Sequence, residues 1–216
     1  SCRNNQLTSL DLSNCPDMLN VHCATNPMTS LNINNCTQLF RVTIYSTNLT
    51  GLDTSTNTAL VDLDIQTNQL TTIDVSNNPL LINFNCSNNQ LTSLDVSNNT
   101  LLENLYCKNN NITSIDFSTL TVLEDLRCHI NQLTTLDVSN NTALTRLYCA
   151  SNQLTTLDIS NNTALTYLHM GGNDYLAAYG AYNNLITSLD VSNNTSLETL
   201  YCGFNKLTSL DVSMLT

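Results

Sequence analysis

The sequence predicts a solenoid, mostly β, coiled from a unit of 21 residues. Three observations predict it. A column of apolar residues returns every 21 positions, an Asn follows it three residues later, and apolar and polar residues alternate around it. The column runs Cys2, Cys23, Ile44, Ile65, Cys86, Cys107, Cys128, Cys149, Met170 and Cys202, and every step is 21 residues except the last, which is 32. The Asn positions are Asn5, Asn26, Asn68, Asn89, Asn110, Asn131, Asn152, Asn173 and Asn205, with Thr47 as the exception. Leu, Val or Phe precedes the column by two residues and Leu or Met by five, so the unit reads L-x-x-L-x-C-x-x-N-x-L-x-x-L-D-V-S-N-N. Repetition at a fixed period of this length is the mark of stacked supersecondary units.

Each part of the unit has a physical reading. Period-two alternation around the Cys column means a strand with one buried face. Successive strands stack as a parallel sheet at a spacing of ~4.8 Å. The Asn side chain bonds backbone groups where the chain leaves the strand, and it repeats up the stack as a ladder. A second alternation, as in Leu94-Asp95-Val96, points Leu and Val inward from the opposite wall. The Asp and the Ser-Asn-Asn after it suit turns, where their side chains cap backbone donors. No long run of period 3.6 is present, so the convex wall is expected to hold short extended or turn segments and little helix. The whole is a right-handed curved stack with a parallel sheet on its concave side. It forms one domain over residues 1–216 of about ten units, with both ends falling inside a repeat and an eleven-residue insertion at 174–184.

The formal charge of -11 comes mostly from the repeat. Nine of the seventeen acids recur once per unit: Asp11, Asp53, Asp74, Asp95, Asp116, Asp137, Asp158, Asp190 and Asp211. The other eight acids nearly balance the six Lys and Arg. This charge excludes nucleic acid, whose phosphates need a basic surface. No stretch has the roughly 18 apolar residues that span a bilayer. Direct membrane insertion is therefore not expected, and there is no Arg/Lys-led signal segment at Ser1. Ser and Asp are periodic turn residues here, and no G-x-S-x-G, phosphate loop or H-E-x-x-H motif occurs. The chain is accordingly not expected to be an enzyme, and no cofactor is implied.

This pattern resembles the leucine-rich-repeat family, and within it the 21-residue cysteine-ladder subtype of internalin J-like and Bacteroidetes secreted surface proteins. The resemblance covers the whole chain apart from the insertion. It implies a curved leucine-rich-repeat solenoid, an extracellular or cell-surface bacterial setting, and recognition through the concave sheet. It implies no catalytic activity. The sequence departs from the subtype at Ile44, Ile65 and Met170, where another apolar group replaces the ladder thiol. That replacement supports a packing role for the column.

Seven of the nine Cys occupy the inward column, where buried Cys acts as a small hydrophobe. Stacked neighbours lie within reach of a disulfide, but their parallel Cβ vectors would strain it, so free thiols are expected. Cys15 and Cys36 fall in the turn after the Asp, which the sequence places outside the core, and a bridge between these neighbouring turns is an open alternative. A metal site is not expected. In His22-Cys23 and Cys128-His129 adjacent strand residues point to opposite faces and cannot share a tetrahedral ion.

The candidate site lies on the outward face of the strands. Residues three before, one before and one after the Cys column should project there. Five of the six Lys and Arg occupy these positions (Arg3, Arg41, Lys108, Arg127 and Arg146), with all three His and five of the eight Tyr. Immediately before the ladder residue come Tyr106, Arg127, Tyr148, His169 and Tyr201 in successive turns, with Arg146 and Tyr167 one column over. Neighbours in a column are ~5 Å apart, so Arg127 is placed to stack between two tyrosines as a cation–π sandwich. Asp62, Asp64 and Asp125 add acceptors. The insertion adds Tyr175, Tyr179 and Tyr182 among flexible glycines on the rim. These residue types are the ones that binding surfaces favour. A stabilising role in the sheet accounts for Tyr106, Tyr148 and Tyr201, which recur within a Leu-Tyr-Cys triplet. It accounts less well for Tyr167, Arg146 and His169. The reading is an extracellular bacterial recognition or adhesion module binding a protein or glycan through these residues, with a spacer presenting another domain as the alternative. A monomer is expected, though uncapped ends allow association.

Overall fold

The computed structural model describes residues 1–171 and 184–215. Eleven strands of three residues are present among them, in the order β1 (Ser9–Asp11), β2 (Asn20–His22), β3 (Ser30–Asn32), β4 (Arg41–Thr43), β5 (Asp62–Asp64), β6 (Asn83–Asn85), β7 (Asn104–Tyr106), β8 (Asp125–Arg127), β9 (Arg146–Tyr148), β10 (Tyr167–His169) and β11 (Thr199–Tyr201). Nine of them form one parallel sheet in the order β11-β10-β9-β8-β7-β6-β5-β4-β2. The register follows the repeat without a slip. Leu126 lies beside Leu147, Leu147 beside Leu168, and Leu168 beside Leu200 across the insertion. The Cys2 turn continues the sheet through backbone bonds from Cys2 to His22 and from Asn4 to Ala24. The opposite wall carries the short parallel pair of β1 with β3 and an isolated bridge between Asp137 and Asp158. No described residue is helical.

The core fills the space between the walls. Leu63, Phe84, Leu105, Leu126, Leu147 and Leu168 enter it from the strands, and Val75, Val96, Val138, Ile159 and Val191 meet them from the other side. The ladder residues Ile44, Ile65, Cys86, Cys107, Cys128, Cys149 and Met170 are fully enclosed. Burial pushes the Cys107 and Cys149 thiols up to about 12, so they pack as neutral apolar groups. All nine cysteines are thiols.

Asn side chains clamp the turns together. The Asn68 amide donates to the Ile44 carbonyl at 2.8 Å and the Ile65 carbonyl at 3.0 Å, while its oxygen accepts from the Leu49 amide. The interior ladder Asn thus satisfy backbone groups of two turns, whereas Asn5 in the first turn is exposed and bonds only its own turn. At the insertion this position is filled by Asn184, eleven residues beyond Asn173, where the spacing from the strand had placed it. Asn184 donates to the Cys149 and Met170 carbonyls at 2.9 Å and accepts from the Leu154 amide.

A second set of clamps lines the opposite wall. Asn57, Asn78, Asn99, Asn141, Asn162 and Asn194 are fully buried. Asn99, for example, donates to the Val75 and Asn78 carbonyls at 3.0 and 2.9 Å. These are residues of the Ser-Asn-Asn segment, expected to be simple turn formers. Cys15, Cys36 and Leu120 occupy the same position in other turns. Cys36 is therefore fully buried, with its thiol donating to the Leu12 carbonyl, and Cys15 packs half-buried against the core. Neither lies outside the core, because the column they share faces inward.

The outer turn is capped as the Asp spacing predicts. Each of the nine periodic Asp accepts a hydrogen bond from the amide two residues on, as Asp95 does from Ser97 at 3.0 Å. Asn32 takes the role in the turn that lacks the Asp. Where the chain leaves the sheet, the second residue after the ladder position is left-handed at nine described turns, from Asn4 (φ 53°) to Phe204 (φ 56°), among them the β-branched Ile130 (φ 56°). Gly171 follows the ladder residue beside the insertion. A Cβ there would lie 2.1 Å from the Gly203 carbonyl oxygen, so only glycine permits this approach of two backbones.

Candidate functional surface

The outward face of the nine-stranded sheet is built from two adjacent columns. The first residues of β4 to β10 give Arg41, Asp62, Asn83, Asn104, Asp125, Arg146 and Tyr167. The last residues give Thr43, Asp64, Asn85, Tyr106, Arg127, Tyr148 and His169, and β11 adds Tyr201. Strand alternation aims these side chains away from the core, and the unbroken register sets each beside its counterpart in the next turn. The third predicted outward column is only partly open. Lys108 and His129 are half-buried, and the small residues Ala24, Ser87 and Ala150 are covered.

Seven of the ten residues singled out from the sequence meet in one patch. Arg127 lies between two rings, its guanidinium carbon 4.5 Å from the Tyr106 centroid and 4.8 Å from that of Tyr148. Asp125 fixes it from below, accepting from Nε at 3.0 Å and from an Nη at 2.8 Å. The Asp125 carboxylate is itself buried, also accepts from the Tyr106 hydroxyl at 3.3 Å, and has Arg146 at 3.6 Å. This bidentate grip raises the Arg127 pKa, while burial followed by Asp125 raises that of Tyr106. Tyr148 and Tyr167 stack at 4.8 Å with an interplanar angle of 27°. Tyr201 reaches Tyr167 at 5.9 Å and His169 at 5.1 Å. Burial, then the neighbouring Tyr148, pushes the Tyr167 hydroxyl up to about 12.

The histidines complete the patch in neutral form. His169 stands 5.9 Å from Tyr148, and so does His129, which the sequence reading left out of the site. Its signal was present in the third outward column. Burial lowers both, His129 to about 3, with Lys108 adding to the effect there. Tyr175, Tyr179 and Tyr182 lie outside the described residues.

The other half of the face is different. Around β4 to β7 a shallow cavity of about 340 Å³ is lined by Arg41, Asp62, Asp64, Asn83, Asn85 and Tyr106 among others. Arg41 donates to Asp62 from Nε at 2.8 Å. Asn83 donates to the same carboxylate and accepts from Asn104, forming a polar relay. Burial raises the Asp64 pKa against the bonds that Gln66 gives it. Among the described residues no group of three or more His, Cys, Asp or Glu is placed to hold a metal ion. No described helix is long and apolar enough to cross a membrane.

A parallel solenoid with a thiol column, an Asn ladder and one face of outward side chains defines a class. The chain belongs to the leucine-rich-repeat family, in its cysteine-ladder form. Among solved structures it is similar to the functional domain of InlJ from Listeria monocytogenes, which includes a cysteine ladder: 38% identity, TM-score 0.87, covering 97% of this chain and 47% of that one. The chain thus spans about half the length of that relative. It is also similar in fold to the internalin InlF of the same organism (22% identity, TM-score 0.77, 91% of this chain and 64% of that). YopM from Yersinia enterocolitica is a third likeness (25% identity, TM-score 0.74, 98% of this chain and 44% of that). A family profile described as the LVIVD repeat matches residues 147–169, which run from β9 to β10. Nothing among the curated proteins matches.

Proposed function

We propose that this chain is the recognition part of an extracellular bacterial surface protein, and that it binds a partner protein through the aromatic half of its sheet face. A leucine-rich-repeat chain of this kind is a protein-interaction or adhesion-type module. The single observation that carries the finer reading is the packing of Tyr148, Tyr167, His169 and Tyr201 into one continuous cluster on an outward face. Large, rigid aromatic side chains bury much area at little entropic cost and dominate binding hot spots. Tyr201 is the most open member of this cluster at 43% exposure; Tyr148 and Tyr167 are half-buried and His169 buried among their neighbours, and so are ordered before any partner arrives. The rigid sheet below adds to that preorganisation.

The test is binding of the purified chain to intact host cells, with and without prior protease treatment of the cells, beside a glycan panel. The Tyr148→Ala, Tyr167→Ala, His169→Ala triple variant is run in parallel, with circular dichroism as the check on folding. Protease-sensitive binding by the parent and at least tenfold weaker binding by the folded variant is the expected result. Binding to the glycan panel alone overturns the protein partner. Equal binding by parent and variant moves the site elsewhere, and no binding by either favours a spacer.

A further inference from the structure

The charge on the sheet face runs against the charge of the molecule. The chain carries a formal -11, yet five of its six Lys and Arg project from the three columns of that face, where they meet only Asp62, Asp64 and Asp125. In the aromatic half the excess is local. Arg127 and Arg146 both stand against one carboxylate, Asp125, with Lys108 farther along the same face beside His129. That carboxylate is already engaged, because Arg127 holds it through two hydrogen bonds and Tyr106 through a third. Arg146 lies 3.6 Å from it with 55% of its side chain exposed, and this is its only ion pair among the described residues. Its guanidinium donors are therefore largely unspent. By register Arg146 pairs with Tyr167, and it stands two residues before Tyr148, so it borders the Tyr148–Tyr167 stack.

We propose that the partner's docking segment is acidic, with a Glu or Asp carboxylate on Arg146 and an adjoining apolar or aromatic side chain on the Tyr148–Tyr167 stack. This rests on the protein-binding reading above and names the partner chemistry of the same surface. A planar guanidinium with free donors takes a carboxylate in bidentate fashion. The arrangement around it also selects. The nine periodic Asp make the outer wall acidic and repel such a segment, which leaves the sheet face as the landing surface. Arg127, by contrast, stays a fixed platform because its charge is satisfied from below.

The experiment uses the 216-residue chain and fluorescent five-residue peptides, Glu-Glu-Tyr-Glu-Glu, Gln-Gln-Tyr-Gln-Gln and Lys-Lys-Tyr-Lys-Lys, with oligogalacturonate as an acidic sugar. Affinity is read by anisotropy at low and high salt. The acidic peptide should bind at least tenfold more tightly than the glutamine peptide and weaken as salt rises. Arg146→Glu should remove that preference, Arg146→Gln should reduce it, and Arg41→Glu in the other half should leave it intact. Circular dichroism checks that each variant is folded. Absence of acidic-peptide binding, equal binding of the three peptides, or an acidic preference that survives Arg146→Glu overturns the proposal. A preference for oligogalacturonate over the peptide overturns it in favour of an acidic glycan. If Arg146→Glu binds host cells as the parent does while the aromatic triple variant does not, the binding surface stands and the acidic segment falls.

Discussion

The two halves of the sheet face share one backbone and differ in how they satisfy their polar groups. From β4 to the start of β7 the outward residues are mostly amides and acids that bond one another near water, with Arg41 half-exposed above Asp62. From β8 to β11 the acid sinks beneath Arg127 and its flanking rings, with the Asp125 side chain only 2% exposed, while Arg146 stays open to water. The comparison teaches that an identical strand register supports either a wet polar lattice or a dry aromatic platform. The choice lies in two residues per turn, because the core beneath is the same in both.

The sharpest way to break the comparison is to cut the ion pair in each half. Asp125→Ala leaves a partly buried guanidinium between two rings without its counter-charge, and breaking a buried pair is strongly destabilising. Allowing for the 35% exposure of Arg127, a loss of about 2–4 kcal/mol is expected in urea unfolding. Arg41→Ala removes the corresponding exposed pair and should cost less than ~1 kcal/mol. Similar losses from the two variants would mean that burial does not distinguish the halves.

Protonation separates the halves next. Burial keeps His129 and His169 neutral, with His129 lowered to about 3 and Lys108, His169 and Arg127 facing it. The unfolded chain takes up these protons near the ordinary value of 6.5. Their contribution is therefore complete above about pH 6.5 and is lost as pH falls below it, for His129 down to about 3, with a slope of at most ~1.4 kcal/mol per pH unit for each histidine. The nine Asp of the outer wall act in a lower window. Their bonds from the following Ser hold them below the usual 3.8, so their contribution is lost only as pH falls through those lowered values. Stability measured against pH should decline in these two stages, and His129→Gln should flatten the upper one. An unchanged upper stage in that variant would place the proton uptake elsewhere.

Much of this was legible in the sequence, for a physical reason. A 21-residue column that tolerates Cys, Ile and Met is defined by shape and apolarity, and parallel stacking then fixes which residues share the outward face. The Arg127 sandwich followed from that register alone. Two features were not read. Asn57 and its relatives looked like turn residues because Asn is common in turns, although Cys36 and Leu120 in the same column mark it as inward. The ladder Asn at the insertion was assigned by distance from the strand. What decides it is the segment that follows: Asn184-Leu185-Ile186 continues the N-x-L pattern into the core, whereas Asn173 is followed by Asp174-Tyr175.

A smaller effect acts in both halves, at the turn where the chain leaves the sheet. In the polar half the left-handed position holds Thr25, Ser46, Thr67 and Asn88, while beyond β8 it holds Ile130, Ser151 and Phe204. A β-branched residue suffers most there, since its Cβ crowds the following carbonyl. Ile130 at φ 56° is thus a strained point directly after His129, inside the aromatic patch. Ile130→Asn keeps the backbone bond to the Ala150 carbonyl and suits the conformation better, as Asn88 and Asn109 do in the two preceding turns. A gain of roughly 1 kcal/mol is expected in urea unfolding. Strain at this turn would then be shared by the two halves, since the β-branched Thr25 and Thr67 hold the same conformation in the polar half. A loss of stability would show instead that the Ile130 side chain contributes more by packing than its backbone conformation costs, and the strain argument would fail at this turn.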